Sequence, residues 1–181
     1  MYHLIFLLLI KSIYSQDLLK TRMTITAAGY EFQPVDISKQ LLDTTSVSTR
    51  MRCARVCALT EGCRIFDFNS SILGLCRLFE GDQTTGEIIS SSSLTSIVGS
   101  ISITSSLFSA FGNTPCNNYC RNNPYLSCNI NNTCQCRGYT YWDETMCQLN
   151  KFTGTSCTAN NQCRTDLNLT CLQFFKCGRK Y

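Results

Sequence analysis

Cysteine and histidine decide what chemistry this chain can perform. Fourteen cysteines are spread over 181 residues, with a single histidine, His3. Reduced thiols at this density would serve as nucleophiles, redox centres or zinc ligands. Their grouping argues for another use. Cys53, Cys57, Cys63 and Cys76 form one group. Cys116, Cys120, Cys128, Cys134, Cys136 and Cys147 form a second, and Cys157, Cys163, Cys171 and Cys177 a third. Even groups separated by cysteine-free chain are the pattern of independent disulfide frameworks in an oxidising compartment. Sulfur locked in a disulfide is neither ligand nor nucleophile.

Residues 1–15 read as a secretory signal peptide, built around the apolar run at residues 4–10. That run is too short to cross a bilayer, which takes about 20 apolar residues. Cleavage before Gln16 removes His3. A chain without imidazole cannot assemble a Ser-His-Asp or Cys-His pair, and it lacks the commonest metal ligand. Asp143-Glu144, the one adjacent carboxylate pair, falls in a short loop of a cysteine-rich stretch, where a solvated turn is expected. The sequence therefore predicts no enzyme, no cofactor and no metal site.

Charge is unevenly spread. Residues 16–99 carry 8 basic and 9 acidic side chains, whereas residues 116–181 carry 7 and 3. No dense basic stripe of the nucleic-acid-binding kind is present. Asn69, Asn131 and Asn168 each begin an N-x-[ST] sequon, which fits a secreted glycoprotein.

The elements that must hold the first cysteine group are legible. Residues 46–59 predict a helix, with Ser46 and Ser48 as N-cap candidates and Gly62 at the stop. Cys53, Val56, Cys57 and Thr60 share one helical face, and Arg52, Arg55 and Leu59 the other. Side chains four apart on a helix stand about 5–6 Å apart at Cβ, too far for a disulfide, which needs about 3.8 Å. Each must reach off the helix. Cys57 is nearer to Cys63, leaving Cys53 for Cys76. Residues 63–68 and 75–79 alternate and are aromatic-rich, predicting a hairpin. Residues 94–98 and 23–26 supply closing and opening strands.

This pattern resembles the PAN/Apple family through Cys53-x3-Cys57, Cys63-x-Ile65-Phe66-x-Phe68-Asn69 and Cys76-x-Leu78. The resemblance covers roughly residues 20–99 and implies an α+β fold, a single helix cradled by an antiparallel sheet. It also implies an extracellular module that binds protein or carbohydrate and is not an enzyme. The outer cysteine pair of the longer Apple form is missing.

Residues 100–115 form a Ser-rich, uncharged linker whose apolar residues predict partial packing on the first domain. Beyond it a repeat is visible: Cys120-x7-Cys128-x5-Cys134 matches Cys163-x7-Cys171-x5-Cys177 in spacing. Cys134 and Cys136 lie on one side of a strand and should bond to different partners, but six cysteines permit 15 connectivities. The spacing is similar to EGF-like and EB-type modules over residues 116–147, with a shortened copy at 148–181 that has little regular structure. That resemblance implies Cys116–Cys128, Cys120–Cys134 and Cys136–Cys147, then Cys157–Cys171 and Cys163–Cys177. The acidic stretch of calcium-binding EGF modules is absent, so no calcium site is expected. Tyr139, Tyr141 and Trp142 are expected to pack over the disulfides.

The functional expectation is a secreted binding or adhesion protein whose partner is an extracellular protein or an anionic glycan. Its contact surface is placed at Arg50, Arg52, Arg55, Arg64 and Arg77, because arginine forks suit carboxylates and sulfates. No nucleic acid and no membrane span are expected. A structural matrix or spacer glycoprotein is the alternative, and a secreted inhibitor a third reading.

Overall fold

A computed structural model describes residues 22–116 and 118–180. The leader expected at residues 1–15 lies outside them. Five strands form the sheet of the first unit: β1 (Met23–Ile25), β3 (Leu41–Ser46), β4 (Ile65–Asn69), β5 (Leu75–Phe79) and β7 (Ser96–Ile101). They run antiparallel in the order β1-β7-β4-β5-β3. β4 and β5 form the expected hairpin, in a register that sets Ile65 opposite Phe79 and Asn69 opposite Leu75.

One ten-residue helix, Arg50–Leu59, packs on this sheet. It begins four residues later than residues 46–59 predict. The reason is strand pairing: residues up to Ser46 are taken by β3, which runs antiparallel to β5. Thr49 then becomes the N-cap, its hydroxyl accepting from Arg52 N at 3.2 Å, a bond of about 1 kcal/mol. The buried stripe is Cys53, Ala54 and Cys57. It meets Phe66, Phe68, Cys76, Leu78, Ile97 and Ile101 in the main core.

Period-two alternation sends Ile65 and Val98 to the opposite face. A second layer covers them. β2 (Tyr30–Pro34) pairs antiparallel with β6 (Gly86–Ser90), and Phe32 packs with Ile65, Phe79 and Val98. Phe32 meets Phe79 edge-on, with centroids 5.2 Å apart. β4 is accordingly buried on both faces. Gln40, at the end of the short helix Ile37–Gln40, is wholly buried in this layer. It is satisfied there: its Nε2 donates to Thr85 O at 2.9 Å, and its Oε1 accepts from Asp36 N at 2.9 Å.

The Ser-rich stretch contributes to both cores. Ile103 packs against the helix–sheet core and against a second cluster, to which Phe108 and Ala110 belong. Phe111 stacks on Trp142 at 3.9 Å, with the rings nearly parallel at 6°. Around these aromatics the cysteine-rich chain forms two ribbons. One pairs β8 (Leu126–Cys128) with β9 (Cys134–Cys136), the other β10 (Thr140–Trp142) with β11 (Cys147–Leu149). A last small ribbon, β12 (Thr170–Cys171) with β13 (Cys177–Gly178), carries a separate cluster of Cys157, Cys163, Leu169 and Cys177.

Candidate ligand surface and module junction

Two disulfides fasten the helix. Cys53–Cys76 ties it to β5, and Cys57–Cys63 ties its last turn to the approach to β4. Each closes a loop worth about 2–4 kcal/mol in the chain-entropy view. With the inner face pinned, the outer face is fixed in orientation. Arg52 and Arg55 project from it, flanked by Met51 and Leu59, which are also exposed. Arg50 is exposed too, but at 3.6 residues per turn it sits roughly 160° from Arg52. Among the described residues, no carboxylate pairs with Arg50, Arg52 or Arg55.

The helix has no acidic residue in its first turn. Arg50 and Arg52 stand there instead, at the positive end of the helix dipole, where cations are disfavoured by about 0.3–1 kcal/mol. Immediately before the helix, Ser46, Val47 and Ser48 line an open cleft of about 410 Å³ with Phe68, Ser70, Leu73 and Gly74. Gly74 is required at this edge: its φ is +69°, and a Cβ there would lie 1.9 Å from the Val47 carbonyl oxygen.

The other two arginines expected on this surface are elsewhere. Arg77 sits directly across the hairpin from Asp67 and grips its carboxylate with two bonds, Nε–Oδ1 at 2.8 Å and Nη2–Oδ2 at 2.5 Å. The Arg77 pKa is raised by this bond, while burial pushes the Asp67 carboxyl up against the pull of Arg77. Arg64 is only 5% exposed. Its Nη2 donates to the Cys147 carbonyl oxygen at 2.7 Å, and burial lowers its pKa. Both are corrections: Arg64 is buried and committed to the Cys147 carbonyl, and the half-buried Arg77 is committed to the Asp67 carboxylate, so neither presents a free guanidinium to a ligand. The signal for Arg64 was its phase, since period two aligns it with the inward-pointing Phe66 and Phe68.

Arg64 belongs to a junction between the first unit and the cysteine-rich chain. Tyr125 Oη donates to the Cys63 carbonyl at 3.1 Å, and Gly62 N donates to Pro124 O at 3.1 Å. Arg137 pairs with Glu61. Glu80, which is buried, accepts from Tyr139 N at 3.3 Å. Burial pushes the Glu80 carboxyl up, opposed by this bond and by Arg164 and Arg64. Gly138, at φ +64°, holds a left-handed conformation that favours glycine, and it brings the backbone close to Glu80 Oε1. On the far side, the Arg164 guanidinium lies 3.9 Å from the Tyr139 ring centroid and is clamped by Asp166.

The sulfurs are mostly committed. Beyond the two bonds at the helix, the structure contains Cys116–Cys128, Cys136–Cys147, Cys157–Cys171 and Cys163–Cys177. The Cys120–Cys134 bond implied by EGF order is not among them. Both residues are buried, and each sulfur lies 3.8 Å from Cys116 Sγ. Both sulfurs thus share one buried cluster with Cys116. Burial pushes the Cys120 thiol up to about 11, and its hydrogen bond with Cys134 adds to the shift. Sulfurs of Cys116, Cys120 and Cys128 lie within 4.8 Å of one another, as do those of Cys157, Cys163 and Cys177. The second trio is wholly disulfide-bonded and the first has two of its three members joined to each other, so neither offers a thiolate set for a metal.

The sequon asparagines differ in setting. Asn131 and Asn168 are exposed at turns, Asn168 with φ +57°. Asn69 is half-buried, its Oδ1 accepting from Ser71 N, Ser93 Oγ and Thr95 Oγ1. Among the described residues, no helix is long and apolar enough to cross a membrane.

No curated protein matches the chain. Residues 30–110, a little under half of it, match the PAN domain family model; PAN domains are protein- or carbohydrate-binding modules of extracellular proteins.

Proposed function

We propose that this is a secreted, non-enzymatic binding protein whose PAN-like domain takes an anionic glycan or an acidic protein segment on the Arg50–Leu59 helix. The observation that carries the reading is a pair of exposed arginines on one helix face, Arg52 and Arg55, that no carboxylate of the described residues pairs, on a helix locked by two disulfides. An incoming sulfate or carboxylate would meet arginine forks. It would also offset the unfavourable placement of Arg50 and Arg52 at the positive end of the helix. The adjoining cleft offers serine hydroxyls for sugar hydroxyl groups, and its volume is in the range of small-ligand sites, about 300–1,000 Å³.

Retention of the oxidised, leader-free protein on a heparin column tests this. Salt-dependent binding is expected, with earlier elution of an Arg52→Ala, Arg55→Ala variant. Unaltered elution of that variant would remove the helix as the contact surface. The exposed sequons Asn131 and Asn168 are the positions proposed to carry glycan.

A further inference from the structure

We propose that the tip of the last ribbon, Phe174 and Phe175, is an interfacial anchor that inserts into a bilayer carrying anionic lipid. The two rings are 86% and 66% exposed, adjacent in sequence, and outside every apolar cluster of the fold. They are not on a floppy loop. Phe175 N donates to Leu172 O at 2.9 Å, Leu172 N to Lys176 O at 3.0 Å, and Cys157 N to Phe175 O at 2.8 Å. Cys157–Cys171 and Cys163–Cys177 staple the base of the hairpin. Phe175 is held at φ +55°, a left-handed conformation that suits glycine or asparagine and is unfavourable for an aromatic residue. A rigid turn that accepts this strain to display two rings points outward to a receiving phase.

The surrounding charge identifies that phase. Lys176 is exposed beside the tip, and Arg179 and Lys180, also exposed, follow at the base of the ribbon past Gly178. Lys151 is close by, its Nζ donating to Ser156 O at 2.8 Å, and Ser156 bridges to Lys176. The one acidic residue between 148 and 180, Asp166, is consumed by Arg164. An apolar tip flanked by lysines is the interfacial arrangement: rings enter the acyl boundary while the Lys176 and Lys151 heads meet anionic headgroups. A protein partner would have to present a pocket for a convex two-ring tip, whereas a lipid surface receives one without a preformed cavity.

Co-sedimentation of the full oxidised chain with phosphatidylcholine vesicles, with and without phosphatidylserine, tests the anchor. Binding is expected to the phosphatidylserine vesicles and to weaken with salt. A Phe174→Ser, Phe175→Asn variant should lose about tenfold or more in partition yet unfold at a temperature no lower than the parent, because asparagine accepts the left-handed φ. A Lys151→Glu, Lys176→Glu variant should lose the preference for phosphatidylserine. The Arg52→Ala, Arg55→Ala variant should bind vesicles as the parent does, which separates this site from the helix surface. Failure of the parent to bind either vesicle, full binding by the phenylalanine variant, or capture of a soluble protein by the tip without vesicle binding would each overturn the proposal.

Discussion

The Arg64 guanidinium donates to the carbonyl oxygen of Cys147, 2.7 Å away and 83 residues further along the chain. A charge on the first unit's sheet thus caps a backbone group of the cysteine-rich chain, and Tyr125 returns a bond to the neighbouring Cys63 carbonyl. Removing Arg64 strands a buried acceptor and opens the junction. Arg64→Ala is expected to cost about 3 kcal/mol, measured by urea unfolding. It should also separate two transitions that coincide in the parent: far-ultraviolet circular dichroism, and the fluorescence of Trp142. Heparin retention of the folded variant should match the parent.

The close packing of Gly99 against Phe66 gives a second test. These residues are directly paired between β7 and β4, and a Cβ at Gly99 would stand 2.1 Å from Phe66 Cζ. Gly99→Ala must push the ring out of the core that supports the helix. A loss of about 1–3 kcal/mol is expected, read as a lowered urea midpoint.

Asp143 supplies one acid-sensitive contribution to stability. Burial pushes its carboxyl up, but bonds from the Gln148 side chain, Met146 N, Thr145 N and the Thr145 hydroxyl together hold it down to about 2. A carboxyl whose folded pKa lies below its ordinary 3.8 gives stability that is complete above that value. The contribution disappears as pH falls toward 2. Trp142, next in sequence, should report a loosening over that window by fluorescence. Asp143→Asn should be less stable at neutral pH and flatter across the window.

The Phe111–Trp142 stack fastens the Ser-rich stretch to the cysteine-rich chain. Phe111→Ala is expected to cost about 1 kcal/mol beyond the lost apolar area and to shift Trp142 emission to the red. Unchanged emission would show that the stack does not form in solution.

How far the fold could be read from sequence depended on how local its causes are. The helix face bearing Cys53 and Cys57 and the Ile65–Phe79 hairpin arise from spacing over one or two turns, and they stand where spacing puts them. β3 and the β2–β6 layer escaped notice because their pairing is long-range. Phe32 finds Ile88 across the fold, and buried Gln40 is satisfied by carbonyl and amide groups that no local pattern announces. The arginines divided for the same reason. Arg52 and Arg55 are exposed by helical phase alone, whereas Arg64 and Arg77 are claimed by Cys147 and Asp67, partners that only the closed sheet and the docked module bring near.

Every described disulfide closes within its own cysteine group, and none stitches the first unit to the cysteine-rich chain. The backbone between Ile101 and Cys116 is then the only covalent tether across the junction among the described residues. A protease that severs it would leave two fragments clasped together in native buffer. They would migrate separately in detergent without any reductant, each keeping its own bridges.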